Sequence, residues 1–108
     1  MPSWKLKMRV KFLDQAKEGL AEIKQHYRKI GGALLARKMI RQIKLPVLAL
    51  ESNPEIAPPY EMSPGIRRLV VADGALLVFY QSQIDVAVIH IRRAEREPVL
   101  AEELEKCV

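Results

Sequence analysis

The side chains with most chemistry to offer are arginines. Arg67 and Arg68 open one strand-like run, and Arg92 and Arg93, followed by Glu95 and Arg96, close another. A guanidinium group is planar, permanently charged and able to donate paired hydrogen bonds, so this set is suited to gripping carboxylates or phosphates. Glu95 is placed to orient one of them. Arg67 and Arg68 project to opposite faces of a strand, so one of the two is expected to be structural, paired with Glu51, Glu55 or Glu61. His90 lies in the run Val88-Ile89-His90-Ile91, where a hydrogen-bonded structural histidine is commoner than a catalytic one. His26 and Cys107 complete the candidate metal donors, but they share no ligand spacing, so neither a metal site nor a cofactor is predicted. Trp4 and Tyr60 are flanked by loop-like residues and suit either stacking on a base or packing over the edge of a core.

A chain of 108 residues has room for one core, so residues 1–108 are expected to form one domain. With 49% apolar and 29% charged residues it is expected to be globular rather than disordered. The longest wholly apolar run, Ala75 to Tyr80, is far short of the roughly 20 residues of a membrane span, and Met-Pro-Ser-Trp-Lys lacks the apolar core of a signal peptide. A soluble, cytoplasmic protein without membrane contact is the expectation. The single cysteine forbids an intrachain disulfide and is consistent with a reducing compartment. Net charge is +5, unevenly spread: residues 1–44 hold twelve Lys/Arg against three acids, 45–96 five against six, and 97–108 one against four. A basic front half attracts nucleic acid or an acidic protein, or is simply solvated.

These cations and arginines need elements to hold them. Lys5 to Phe12 alternates strictly, with Leu6, Met8, Val10 and Phe12 opposite Lys5, Lys7, Arg9 and Lys11, which predicts a half-buried strand at a sheet edge. Its row of cations either discourages edge pairing or binds a ligand. Asp14 reads as an N-cap for a helix with Leu13, Ala16, Leu20, Ile23, Tyr27 and Ile30 on one side, ended by Gly31-Gly32. A second helix carries Ala36, Ile40, Ile43, Val47 and Leu50, giving an antiparallel helical hairpin. Pro46 predicts a kink or break near residues 43–45, with helix resuming to about Leu50. The proline-bearing segment 52–64 reads as a loop.

Ile66–Ala72, Ala75–Tyr80 and about Asp85–Ile91 then form a three-strand antiparallel meander, the first two joined at Asp73-Gly74. Both faces are apolar: Leu69 and Val71 alternate with Val70 and Ala72, and Ile89 and Ile91 with Val86 and Val88. One face meets the helices. The other has only Pro98–Val108, a short C-terminal helix with Leu100, Leu104 and Val108, so part of the sheet or hairpin is expected to be an interface. The predicted class is α+β.

The order of these elements resembles the ParE/RelE superfamily of bacterial toxins over nearly the whole chain. The resemblance is carried by Ala16, Leu20, Ile23 and Tyr27, by Asn53-Pro54, by Gly65-Ile66-Arg67, by Leu77-Val78-Phe79-Tyr80, and by Val88-Ile89-His90-Ile91 with Arg92-Arg93. It implies the toxin of a type II toxin–antitoxin module, with growth arrest, plasmid maintenance and a toxin–antitoxin hetero-oligomer as associated properties. The RelE branch cleaves messenger RNA on the ribosome, driving the 2′-hydroxyl onto the adjacent phosphate with a base, an acid and surrounding cations. Lysines before the meander and a late tyrosine meet that need in RelE. Here Glu61, Met62, Ser63 and Pro64 fill the first region, Leu100 stands about where the tyrosine would fall, and no aromatic residue follows Tyr80.

The strings Gly-Ile-Arg, Phe-Tyr and Val-Ile-His-Ile look like ParE, whose branch poisons DNA gyrase by holding its cleavage complex open. On that reading Arg67, Arg68, Arg92, Arg93, Glu95 and Arg96 bind the target. The antitoxin would cover an apolar groove at Leu20, Ile23, Tyr27, Ile40, Ile43, Val70, Val86 and Val88. A RelE-like ribonuclease would instead require Arg67, His90 or Arg93 to do acid–base work. A third reading is a basic interaction module of the same fold without toxicity.

Overall fold

The fold comes from a computed structural model, which describes residues 9–94. Strand β1 (Val10–Phe12) leads into a long helix, α1 (Asp14–Ala49), and four strands follow: β2 (Pro59–Tyr60), β3 (Ser63–Val71), β4 (Leu76–Ser82) and β5 (Val86–Arg93). They form one five-stranded sheet in the order β1-β5-β4-β3-β2. β1 runs parallel to β5, while the other pairs are antiparallel. The α+β class stands, and β3, β4 and β5 pair antiparallel in chain order. The residues expected in a C-terminal helix, Pro98–Val108, together with Lys5 to Met8 of the predicted first strand, lie outside the described residues.

β1 occupies a sheet edge, with Val10 and Phe12 packed against the core and Lys11 outward. Lys11 Nζ lies 3.0 Å from an Asp85 carboxylate oxygen, so this cation ties β1 to the start of β5. The ladder continues beyond the strand, because the Leu13 N–H donates to the Val88 carbonyl at 2.9 Å. Leu13 is the N-cap in place of the expected Asp14, since its extended backbone precedes the helix and its carbonyl accepts the first helical bond from the Lys17 N–H at 3.0 Å. Asp14 is instead the first helical residue, where its charge complements the helix dipole.

The two expected helices form a single 36-residue element whose backbone leaves helical geometry at Gly32, with φ 85° and ψ −177°. Such angles are open almost only to glycine. On both sides of Gly32 the helix buries one stripe, Ala16, Gly19 and Ile23 before it and Ala36, Met39, Ile43 and Val47 after it. The break expected at Pro46 does not occur, since Gly32 is the sole residue of α1 with non-helical angles. Pro46 lies in the last turns, and full burial of Val47 and Leu50 holds the helix there despite the lost N–H.

The loop expected over 52–64 contains a short edge strand, and β3 begins at Ser63 rather than Ile66. The hairpin falls at Asp73-Gly74 but is not the expected two-residue turn: Val71 pairs with Leu76, the four residues Ala72–Ala75 join the strands through a short 3-10 turn, φ is positive at Ala72, Asp73 and Gly74 (53°, 54° and 91°), and the Ala75 N–H donates to the Ala72 carbonyl at 3.1 Å. The main difference lies between β4 and β5. Phe79 pairs with His90 but Tyr80 pairs with Val88, which leaves Ile89 as an extra residue in a bulge. The bulge reverses the alternation: Val86, Val88 and Ile91 face the helix core, and Ile89 joins a second cluster with Tyr60, Ile66 and Phe79 on the other side. The expected grouping of Ile89 with Ile91 is therefore corrected.

Candidate functional site

The register places each arginine. Arg67 pairs with Tyr80 and shares the helix-facing side with Leu69 and Val71, whereas Arg68 pairs with Phe79 and shares the outer side with Ile66 and Val70. On β5, Arg92 pairs with Leu77 and faces outward, while Arg93 pairs with Leu76 and faces the helix. The expected recognition set is thus divided between two faces. Glu95 and Arg96 lie outside the described residues.

Arg67 is the structural member of its pair. Its Nη1 donates to the Ala57 carbonyl at 2.7 Å and reaches the Glu55 carbonyl at 3.4 Å, so its partners are backbone oxygens rather than the carboxylate anticipated. Tyr80 secures the same loop by donating its hydroxyl to the Pro54 carbonyl at 2.8 Å. Burial pushes the Tyr80 phenol above its usual range, opposed by a hydrogen bond from the Ala57 backbone and by the Arg67 charge. Sequence reasoning missed this loop anchor. The only signal for it was a tyrosine closing the apolar run of β4.

Arg93 Nη1 lies 3.2 Å from His26 Nε2, linking β5 to the first half of α1. His26 therefore contacts an arginine, and among the described residues no group of His, Cys, Asp and Glu is gathered as for a metal ion.

The outer face carries the remaining cations. Arg68 is exposed, with its guanidinium carbon 5.8 Å from the centre of the Tyr60 ring. Tyr60 is buried and meets Phe79 edge-on at 5.0 Å, so it is a core residue rather than a stacking platform in a loop. His90 lies half-buried beside Phe79, with ring centres 6.1 Å apart. Two cross-strand rows result, Arg68–Phe79–His90 and Val70–Leu77–Arg92. At ordinary strand spacing the Arg68 and Arg92 backbones stand about 12 Å apart, close enough for one macromolecular surface to engage both. Arg67 and Arg93, at opposite corners of the other face, are about 17 Å apart by the same spacing.

Of the residues expected to meet an antitoxin, Ile23, Ile43, Val86 and Val88 are at most 3% exposed and belong to the core, so no partner reaches them in the folded chain. Leu20, Tyr27 and Ile40 are half-buried, and Val70 is 51% exposed. The more accessible apolar side chains on α1 were not anticipated: Ile30, expected on the apolar stripe, is 64% exposed, and Leu34, Leu45 and Leu48 are interspersed with exposed Arg37, Arg41 and Lys44. Among the described residues no helix is long and apolar enough to cross a membrane.

A long broken helix packed on a mixed five-stranded sheet is the fold of the ParE/RelE toxins. A chain of the chromosomal ParDE TA system from P. aeruginosa superposes with a TM-score of 0.74 at 25% identity, covering 82% of this chain and 98% of that one. The isolated E. coli RelE toxin shares the fold at 19% identity and a TM-score of 0.57, over 94% of this chain and 99% of its own. A mutant of E. coli RelE in the free state gives 18% and 0.54, over 94% and 93%. No curated protein sequence matches the chain. Residues 10–98 match the family described as ParE toxin of type II toxin-antitoxin system, parDE, and the chain belongs to that family.

Proposed function

We propose that this toxin arrests growth by binding DNA gyrase and holding its cleavage complex open, without making or breaking a bond itself. The observation that carries this reading is the division of the arginines. A ribonuclease built from Arg67, His90 and Arg93 would need them around one phosphate, yet Arg67 and Arg93 face the helix and His90 faces the other way. Arg67 is engaged by backbone carbonyls and Arg93 by His26. The outer face offers a different pair, exposed Arg68 and half-buried Arg92, on either side of the row through Leu77 and Phe79. That combination suits recognition of a protein surface, with guanidinium groups supplying paired hydrogen bonds and exposed Val70 supplying apolar contact beside them, while Phe79 stays in the core beneath.

The antitoxin is assigned to the other side of the molecule. Leu34, Leu45 and Leu48 between Arg37, Arg41 and Lys44 match a partner segment that alternates apolar and acidic residues. Neutralisation then needs no overlap with the target face. The cognate pair would stabilise a plasmid or locus that encodes both.

The test incubates purified protein with gyrase and supercoiled plasmid, and in parallel with translating ribosomes and labelled message. Linearised plasmid should accumulate while message stays intact, and Arg68→Gln with Arg92→Gln should abolish the linear product. Cut message with unchanged plasmid topology would transfer the toxin to the ribosome. Inertness in both assays would leave the family fold without its toxicity.

A further inference from the structure

The outward side of α1 is dominated by cations after Glu22. Between Glu22 and Glu51 there is no carboxylate, while Lys24, Arg28, Lys29, Arg37, Lys38, Arg41 and Lys44 are all present and all exposed. Beyond Gly32 these cations are mixed with exposed leucines. Before it the one exposed large apolar side chain is Ile30, and Ala21, Lys24, Gln25, Arg28 and Lys29 line a shallow concavity of about 570 Å³ that excludes it. The small side chain of Ala21 leaves the hollow, three cations wall it, and Gln25 adds a neutral donor. Lys17, exposed and seven residues before Lys24, falls on the same side and lengthens the stripe by about 10 Å. The carboxylates of this half, Asp14, Glu18 and Glu22, all precede Lys24, and Glu22 borders the hollow without lining it.

We infer that this stripe is a contact for the phosphodiester backbone of duplex DNA, bound without regard to sequence. Three features select that ligand. Flexible cations around an open hollow gain most from a polyanion, whose condensed counterions they release. The lining has no large apolar side chain to anchor a protein, unlike the leucine-bearing second half of α1. It also has no aromatic side chain, which single-stranded nucleic acid uses as a stacking platform. The inference goes beyond the gyrase reading, since it places DNA on the toxin itself and on a face other than the outer side of the sheet.

The test measures binding of the full chain to a labelled duplex of about 20 base pairs and arbitrary sequence, from about 50 to 200 mM salt, with no gyrase present. Affinity should fall steeply with salt. The triple variant Lys24→Gln, Arg28→Gln and Lys29→Gln should bind at least tenfold more weakly at low salt, and its log–log salt slope should be shallower by about 0.9 for each phosphate it no longer neutralises. Its melting temperature and capture of antitoxin should be unchanged. A matched variant, Arg37→Gln, Arg41→Gln and Lys44→Gln, should keep most of the duplex affinity.

Equal losses in the two variants would show bulk charge attraction and overturn the site. So would displacement of the duplex by millimolar inorganic phosphate at constant ionic strength, tighter binding of a single strand, or loss of antitoxin capture with duplex binding intact. None of these outcomes depends on whether gyrase is the target, which the plasmid assay reads separately.

Discussion

Arg67 and Tyr80 are neighbours across β3 and β4, and both hold the segment from Pro54 to Ala57 by its carbonyl oxygens. A cation spent on backbone carbonyls contributes to the fold, so Arg67→Gln should lower unfolding free energy by about 1.5–3 kcal/mol in urea titrations. Its effect on gyrase should be no greater than the loss of folded protein. Unchanged stability with lost inhibition would return Arg67 to the recognition set. Tyr80 gives the fold an alkaline limit. Burial raises its folded pKa above the unfolded value of about 10, so below that pH both states hold the proton and stability does not depend on it. As pH rises further the unfolded chain ionises first, and the stability from this group drains away until the folded phenol ionises too. Tyr80→Phe should flatten the fall in denaturation midpoint between about pH 9 and 11, while losing about 1 kcal/mol near neutrality with the bond to Pro54.

At the scale of elements, the seating of α1 on β5 depends on a missing side chain. A Cβ on Gly19 would overlap the carbonyl oxygen of Ile91, which is backbone and cannot move aside cheaply. Gly19→Ala should therefore destabilise by about 1–3 kcal/mol through overpacking, although alanine is the better helix former by about 1 kcal/mol. Calorimetry showing a higher melting temperature would mean that the helix sits farther from the sheet. The bulge at Ile89 works on the same strand. It supplies the second cluster with an isoleucine and returns Ile91 to the helix side, so β5 fills two cores along its length.

Across the whole molecule, cations mark two sides on different elements: the outer side of the sheet with exposed Arg68 and half-buried Arg92, and α1 with its exposed leucines and cations. Replacing Leu34, Leu45 and Leu48 by serine should leave the melting temperature within about 2 °C, because all three are more than half exposed. It should weaken antitoxin capture by tenfold or more, since burial of one such side chain is worth about 1.5–3 kcal/mol. Unaltered capture in a titration would move the antitoxin elsewhere. The periodicities of three to four residues along α1 and of two along Val10–Phe12, the glycine break and the place of the turn at Asp73-Gly74, though not its length, were legible in the chain, because each depends on local backbone geometry. The order of elements carried the family resemblance in the same way. Which side of each strand met the helix was not legible, since Leu69 and Val70, or Val88 and Ile89, are equally apolar and alternation between two apolar faces has no sign. Tertiary packing supplied it: α1 selected the face with Leu69, Val71, Val78 and Tyr80, and the bulge carried β5 across both cores. That choice sent Arg67 and Arg93 inward to carbonyls and a histidine and left Arg68 and Arg92 facing out. A side chain's partner depends on residues distant in the chain, so its role was settled only once the sheet and helix had met.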